Sequence, residues 1–183
     1  MRLSSPPGLV CACAVVGACL VAFPWLDRPQ PRSLPQEWGV ESRTHALVNM
    51  AAGAVDRACR DGDLVGLRNA TSSRYLGVLH GLLARDGRRL DAESLRQQKV
   101  HVGGIAQLPL LVGLGAADAA VAVFARERAG FEFEAEANAL LALRFTWDGF
   151  TLRLDDKVGR TVPPGQSLTV AARALARELL AGR

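Results

Sequence analysis

The stretch Leu141-Ala142-Leu143-Arg144-Phe145-Thr146-Trp147-Asp148-Gly149-Phe150-Thr151-Leu152-Arg153-Leu154 carries the decisive signal of this chain. Leu141, Leu143, Phe145 and Trp147 recur at every second position, the period of a strand with one apolar face. Asp148-Gly149 then supplies the positive φ angles that a two-residue type I′ turn requires. Phe150, Leu152 and Leu154 continue the alternation on the returning strand. Upstream, Phe131-Glu132-Phe133-Glu134 alternates in the same way, so the sequence predicts a strand through 131–147.

Moving outward, Leu108 to Val112 and Ala119 to Arg126 read as two more strands, with Gly113 and Gly115 turning between them. A helix over Ala116–Arg128 is the alternative, because alanine is a strong helix former. Val100, Val102 and Ile105 around Gly103-Gly104 predict a strand broken by a bulge. Arg126, Glu127, Arg128, Glu132, Glu134 and Glu136 read as a solvated sheet face with opposite charges across strands. Beyond the hairpin, Pro163-Pro164-Gly165 breaks the chain. Ser167 is placed to cap a final helix whose apolar stripe is Leu168, Ala171, Leu175 and Leu179, closed by Gly182.

Residues before 100 have helical period. From Thr44 to Arg60, Leu47, Val48, Ala51, Ala54, Val55 and Ala58 fall at steps of three and four on one face. Asp61-Gly62-Asp63 ends that helix and offers Asp63 as N-cap of a short one over Leu64–Leu67. Ser72 or Ser73 starts a third, with Tyr75, Leu76, Leu79, Leu82 and Leu83 on one face, ending near Gly87. Asp91 caps a short polar helix to Gln98 that contacts the core through Leu95. Helices followed by an antiparallel meander make the fold class α+β.

The run Val55-Asp56-Arg57-Ala58-Cys59-Arg60-Asp61-Gly62-Asp63-Leu64-Val65-Gly66-Leu67 resembles the start of nuclear-transport-factor-2-like (SnoaL-like) domains. Leu143-Arg144-Phe145-Thr146-Trp147-Asp148-Gly149-Phe150-Thr151-Leu152 is similar to their late hairpin. The resemblance spans about residues 44–158. It implies helices packed on a curved, cone-like antiparallel sheet that wraps a pocket, used in that family by isomerases, hydrolases, dimerising scaffolds and membrane-anchored secretion components. The helix after Ser167 is extra to the simplest family pattern. In isomerases of this fold a pocket tyrosine works with a carboxylate. Tyr75, the only tyrosine here, is therefore the candidate pocket residue, and Asp118, Asp86 or Glu132 would have to be its partner.

The N-terminus speaks of location. Leu9 to Leu26 is an uncharged apolar run of eighteen residues behind a leader charged only at the amino terminus and Arg2. At about 1.5 Å rise per residue it is just long enough to cross a hydrocarbon core of roughly 30 Å. Trp25 is placed like an interfacial aromatic. Three readings follow: an uncleaved signal anchor, a lipoprotein signal and an ordinary cleaved signal peptide. In the lipoprotein reading Val16-Gly17-Ala18-Cys19 is the lipobox and Cys19 the acylated residue. Residues 27–43, with Pro29, Pro31 and Pro35, read as a stiff linker, and 44–183 as a single α+β domain. The body is expected to face the periplasm or exterior of a bacterial-type cell as a single-pass membrane protein, or alternatively as a lipoprotein or secreted protein.

Composition excludes several classes. The chain has 22 basic and 18 acidic residues. Setting aside Arg2, Arg28, Arg32, Asp27 and Glu37 leaves a net +3 spread without dense blocks, so no nucleic-acid partner is expected. Cys11, Cys13 and Cys19 lie in the apolar run and leave Cys59 as the sole body cysteine, read as a buried small hydrophobe. His45, His80 and His101 have no metal-ligand spacing. G-x-S-x-G is absent, and Gly113-Leu114-Gly115-Ala116-Ala117-Asp118 lacks the third position of a dinucleotide fingerprint. Asn69-Ala70-Thr71 matches a glycosylation sequon, relevant only in a host that glycosylates exported proteins. No catalytic residue, cofactor or metal site is singled out. The expectation is a membrane-anchored or exported non-enzymatic domain that binds a partner protein, a second copy or a small apolar ligand. The alternative is an exported acid–base enzyme of isomerase or hydrolase type working in a cone-shaped pocket.

Overall fold

The computed structural model describes residues 33–97, 102–126 and 138–182. All lie in the second of two compact units, Met1–Pro31 and Arg32–Arg183. The apolar run with Cys19, the charged stretch 127–136, and His101 fall outside the described residues. Among the described residues no helix is long and apolar enough to cross a membrane.

Local signals start the first four helices, whereas Ser167, ahead of the last one, makes no capping hydrogen bond through its side chain. Helix α1 spans Arg43–Asp61 behind Ser42, whose side chain accepts from the His45 N–H, and it buries Val48, Ala52, Val55, Ala58 and Cys59. Asp63 Oδ1 accepts from the backbone of Val65 (3.0 Å) and Gly66 (2.9 Å), which starts α2, Leu64–Ala70. Ser72 caps α3, Ser73–Arg85, by accepting from the Tyr75 N–H at 3.1 Å. Asp91 accepts from the Ser94 N–H at 2.7 Å, ahead of α4, Ala92–Gln97, whose Leu95 is fully buried. These satisfy donors that a helix start would otherwise leave orphaned.

Strands β1 (Glu37–Trp38), β2 (Leu110–Gly115), β3 (Ala119–Arg126), β4 (Ala139–Trp147) and β5 (Leu152–Thr161) form one open antiparallel sheet in sequence order. One face packs Phe124, Leu141, Leu143, Phe145, Leu152 and Leu154 against the four helices. The other packs Val121, Val123, Leu140 and Ala142 against α5, Leu168–Leu180. The architecture is α+β, as expected. Burial on both faces also explains why Ala119 to Phe124 reads as a continuous apolar run instead of alternating. The strand reading holds there, not the helix over Ala116–Arg128.

Four expectations are corrected. Val102 to Ile105 is not a bulged strand: the chain turns at Gly103-Gly104 into a single 3-10 turn, Ile105–Gln107. A Cβ at Gly103 would sit 2.8 Å from Asp56 Oδ1, so the turn follows the α1 surface closely. Gly113 and Gly115 are not turn residues but lie inside β2. A Cβ at Gly113 would meet the Trp38 ring at 2.4 Å, and one at Gly115 the Pro35 carbonyl at 2.2 Å. Glycine is used here because another segment crosses the strand closely. The turn is at Ala116–Asp118 instead. Leu82 is not on the buried face; it is 50% exposed. α3 lies along the β5 edge and buries only a narrow stripe of Tyr75, Leu79 and Leu83.

The fourth correction is the hairpin register. Trp147 pairs with Leu152, not Phe150, and the Asp148 N–H reaches the Thr151 carbonyl at 3.4 Å. Gly149 (φ 94°) and Phe150 therefore occupy the turn centre, and Phe150 is 72% exposed. Asp148 fixes this arrangement. Its Oδ1 accepts from the N–H of Phe150 (2.9 Å) and Thr151 (2.7 Å), and its Oδ2 from the Thr151 hydroxyl. The slip is by two residues, so Leu152 and Leu154 stay on the inner face while Phe150 leaves it for the turn.

Candidate functional site

A second register shift, between Arg144 and Phe145, creates the most polar interior point of the fold. Arg144 pairs with Asp156 and Phe145 with Leu154, leaving Asp155 as the extra residue of a β-bulge. Asp155 is buried. Its Oδ1 accepts from the Ser72 hydroxyl at 2.6 Å. Its Oδ2 accepts from Arg144 and lies 3.5 Å from the Arg74 guanidinium. Arg74 also reaches Asp156 Oδ2 at 3.3 Å. The backbone joins in: the Ser72 N–H donates to the Leu154 carbonyl at 2.9 Å, and Thr71 bridges to Leu154 in parallel. The start of α3 is thus stitched to the bulge of β5.

Chemically this cluster is a staple. Ser72 donates to a carboxylate and at the same time accepts from the Tyr75 N–H, so both functions of its hydroxyl are engaged. Asp155 is flanked by two guanidinium groups, those of Arg144 and Arg74. The Nε of Arg144 is buried without a partner among the described residues.

Tyr75 stands one turn into α3, beside this staple. It is 6% exposed, and its hydroxyl has no hydrogen-bond partner among the described residues. Burial pushes its pKa well above the ordinary phenol range, and the nearby Cys59 and Asp156 push it further in the same direction. Cys59, on α1, is free and fully buried. Desolvation and Asp56 raise its thiol to about 11 against an opposing pull from Lys157, so it is a protonated, inert thiol at neutral pH. Lys157, on β5 opposite Leu143, is lowered by desolvation and by Arg126. Asp56 pairs with Arg60 at 3.1 Å. Tyr75, Cys59, Asp56, Asp156 and Lys157 thus influence one another at one margin of the inner core.

The carboxylates considered as partners for Tyr75 are placed elsewhere. Asp118 is in the β2–β3 turn, where its carbonyl accepts from the Trp147 N–H at 2.7 Å. Asp86 is the C-cap of α3, and Glu132 lies outside the described residues. The acid that acts on Tyr75 is Asp156. Of the histidines, His45 binds the Val40 carbonyl at 2.9 Å and packs near Trp38, while His80 is exposed on α3.

Sequence reasoning missed Asp155 and the role of Arg144. The available signals were an arginine inside an otherwise apolar strand and the charged run Asp155-Asp156-Lys157 interrupting strand alternation. Away from this region, a cleft of about 520 Å³ is lined by Gln107, Leu108, Pro109, Arg126 and Leu168 among others, and one of about 360 Å³ follows the β1–β2 edge beside Arg173. Comparison with protein-family models, with curated proteins and with solved structures gave no match for this chain.

Proposed function

We propose that this chain is a membrane-anchored, outward-facing, non-enzymatic domain of the nuclear-transport-factor-2-like type that binds a partner protein or a small apolar ligand. In this reading residues 9–26 form the anchor, and the sheet bends into the cone that the family resemblance implies. One observation carries the non-enzymatic part. The space between the helices and the inner sheet face is filled by Phe124, Leu143, Phe145 and Leu154, all fully buried, together with Val48, Val55, Leu79 and Leu83. A filled interior suits a scaffold that works through its surface. Acid–base catalysis instead needs ionisable groups converging on an open cavity.

The enzyme alternative draws on one observation, the orphaned hydroxyl of Tyr75. Tyr75→Phe separates the two: the scaffold reading expects partner binding to be unaltered. Turnover of a small carbonyl or epoxide substrate that collapses in this variant, with the fold intact, promotes the enzyme. Attachment is tested by alkaline carbonate washing, which should leave the full chain in the membrane pellet, while deletion of residues 1–26 should release the body. Full-length protein with Met1 retained in the soluble fraction contradicts the anchor. Cys19→Ala distinguishes the anchor types, since only a lipoprotein loses an acyl chain and its processing.

A further inference from the structure

We propose that the cleft where β3 ends and β4 begins binds a small amphiphilic carboxylate, with Arg126 holding the carboxylate and the apolar walls holding its hydrocarbon. The proposal rests on the small-ligand half of the binding reading above and gives that ligand a place and a head group. The cleft measures about 520 Å³, within the range of about 300–1,000 Å³ usual for small-molecule sites. None of the fully buried side chains that fill the inner core lines it. Its walls are set by the backbone. The Ala125 N–H donates to the Pro109 carbonyl at 3.0 Å, which ties the entry to β2 against β3. Arg126 and Ala139 form the last pair of the β3–β4 ladder. The Val162 N–H donates to the Asn138 carbonyl at 2.8 Å, and Leu168 opens α5 just beyond. A site built before its ligand arrives loses little freedom on binding.

The lining divides by chemistry. Leu108, Pro109 and Leu168 offer hydrocarbon, while Gln107 and Asn138 offer neutral amides and Arg126 a positive charge. Among the described residues Arg126 makes no ion pair, and no carboxylate lines the cleft. One guanidinium beside two uncharged amides suits a single negative charge. Its planar fork of N–H groups meets a carboxylate in two parallel bonds. A phosphate dianion would be left half neutralised, and an ammonium group is repelled. The apolar walls reward a carboxylate that carries a chain, because each methylene taken out of water adds to binding.

The test uses the full chain in phosphatidylcholine nanodiscs, titrated with hexanoate, with hexanol, and with inorganic phosphate. Binding is followed by nitrogen-edited NMR of the Arg126 Nε–H and the Gln107 and Asn138 side-chain amides. Hexanoate should shift these groups saturably, and Arg126→Gln should weaken it about tenfold or more, the loss of one charge-assisted hydrogen bond. Arg126→Lys keeps the charge without the fork and should fall between; it also decides the matter if the glutamine variant fails to fold. The proposal is overturned if hexanoate causes no saturable shift. It is equally overturned if hexanol or phosphate binds as tightly as hexanoate, or if neither Arg126 variant weakens hexanoate binding. Any of these results removes this ligand and this site alone. The partner-protein half of the reading is tested separately, by cross-linking the full chain in its native membrane.

Discussion

Helices α5 and α3 both lie against the same sheet, yet they are held by opposite means. α5 docks chiefly through hydrocarbon: Ala171, Ala172, Leu175, Ala176 and Leu179 meet Val121, Val123, Leu140 and Ala142. Its ion pair with the sheet, Arg160 with Glu178 at 3.0 Å, is exposed on both sides and contributes little. α3 buries only Tyr75, Leu79 and Leu83 and is fastened at its start by Ser72 and Arg74 to the carboxylates of β5. Apolar docking is distributed and tolerant of small shifts. A buried polar staple is localised: it sets the register and edge position of one element, and it fails when one partner is removed.

The largest effect should come from the staple. Asp155→Ala leaves the mostly buried Arg144 guanidinium without its counter-charge and the Ser72 hydroxyl without its acceptor. Breaking a buried pair from one side costs about 3–5 kcal/mol, read as a lowered denaturant midpoint in detergent-solubilised protein. A loss below ~1 kcal/mol would mean that the pair is solvated and that the contrast with α5 is empty. Leu175→Ala probes the apolar side. It removes a fully buried side chain from the middle of the α5 stripe and should cost about 2–5 kcal/mol, depending on how far the cavity collapses. An unchanged midpoint would show that α5 is dispensable to the fold.

Gly149→Val ranks next. A β-branched residue at φ 94° is strained by about 1–3 kcal/mol, and the space around this Gly is open, so the cost is conformational. Equal loss in Gly149→Val and Gly149→Ala would support strain. A harmless valine would mean that the turn re-forms elsewhere. The smallest effect belongs to Tyr75→Phe. Its buried hydroxyl has no partner among the described residues, so deleting it removes a desolvation penalty and keeps the packing. A gain of up to about 1 kcal/mol is expected. A loss of that size would reveal a hydrogen bond to the hydroxyl.

The same contrast marks what was legible in the sequence. Placement of α5, the caps at Asp63, Ser72 and Asp91, and the β4–β5 hairpin all follow from signals within a few residues, because periodicity and capping are local. The apolar faces also survive the hairpin slip, since a two-residue shift preserves which side of the strand is buried. The glycines of β2 misled because their reason, the crossing of Trp38 and Pro35, comes from residues more than seventy positions earlier. Asp155 was invisible for the same reason: its partners Ser72 and Arg144 meet it only once the bulge has formed. Leu82 looked buried because a helix at a sheet edge hides fewer residues than one packed across a sheet.

Native-state hydrogen exchange on wild type and Asp155→Asn tests the division between staple and hydrocarbon most directly. Asparagine keeps the size of the side chain and removes its charge. The amides of α3 from Tyr75 to Leu83 should lose protection selectively, while those of α5 around Leu175 and Leu179 exchange as in wild type. Protection lost to the same extent in both helices, or retained in both, would contradict the account.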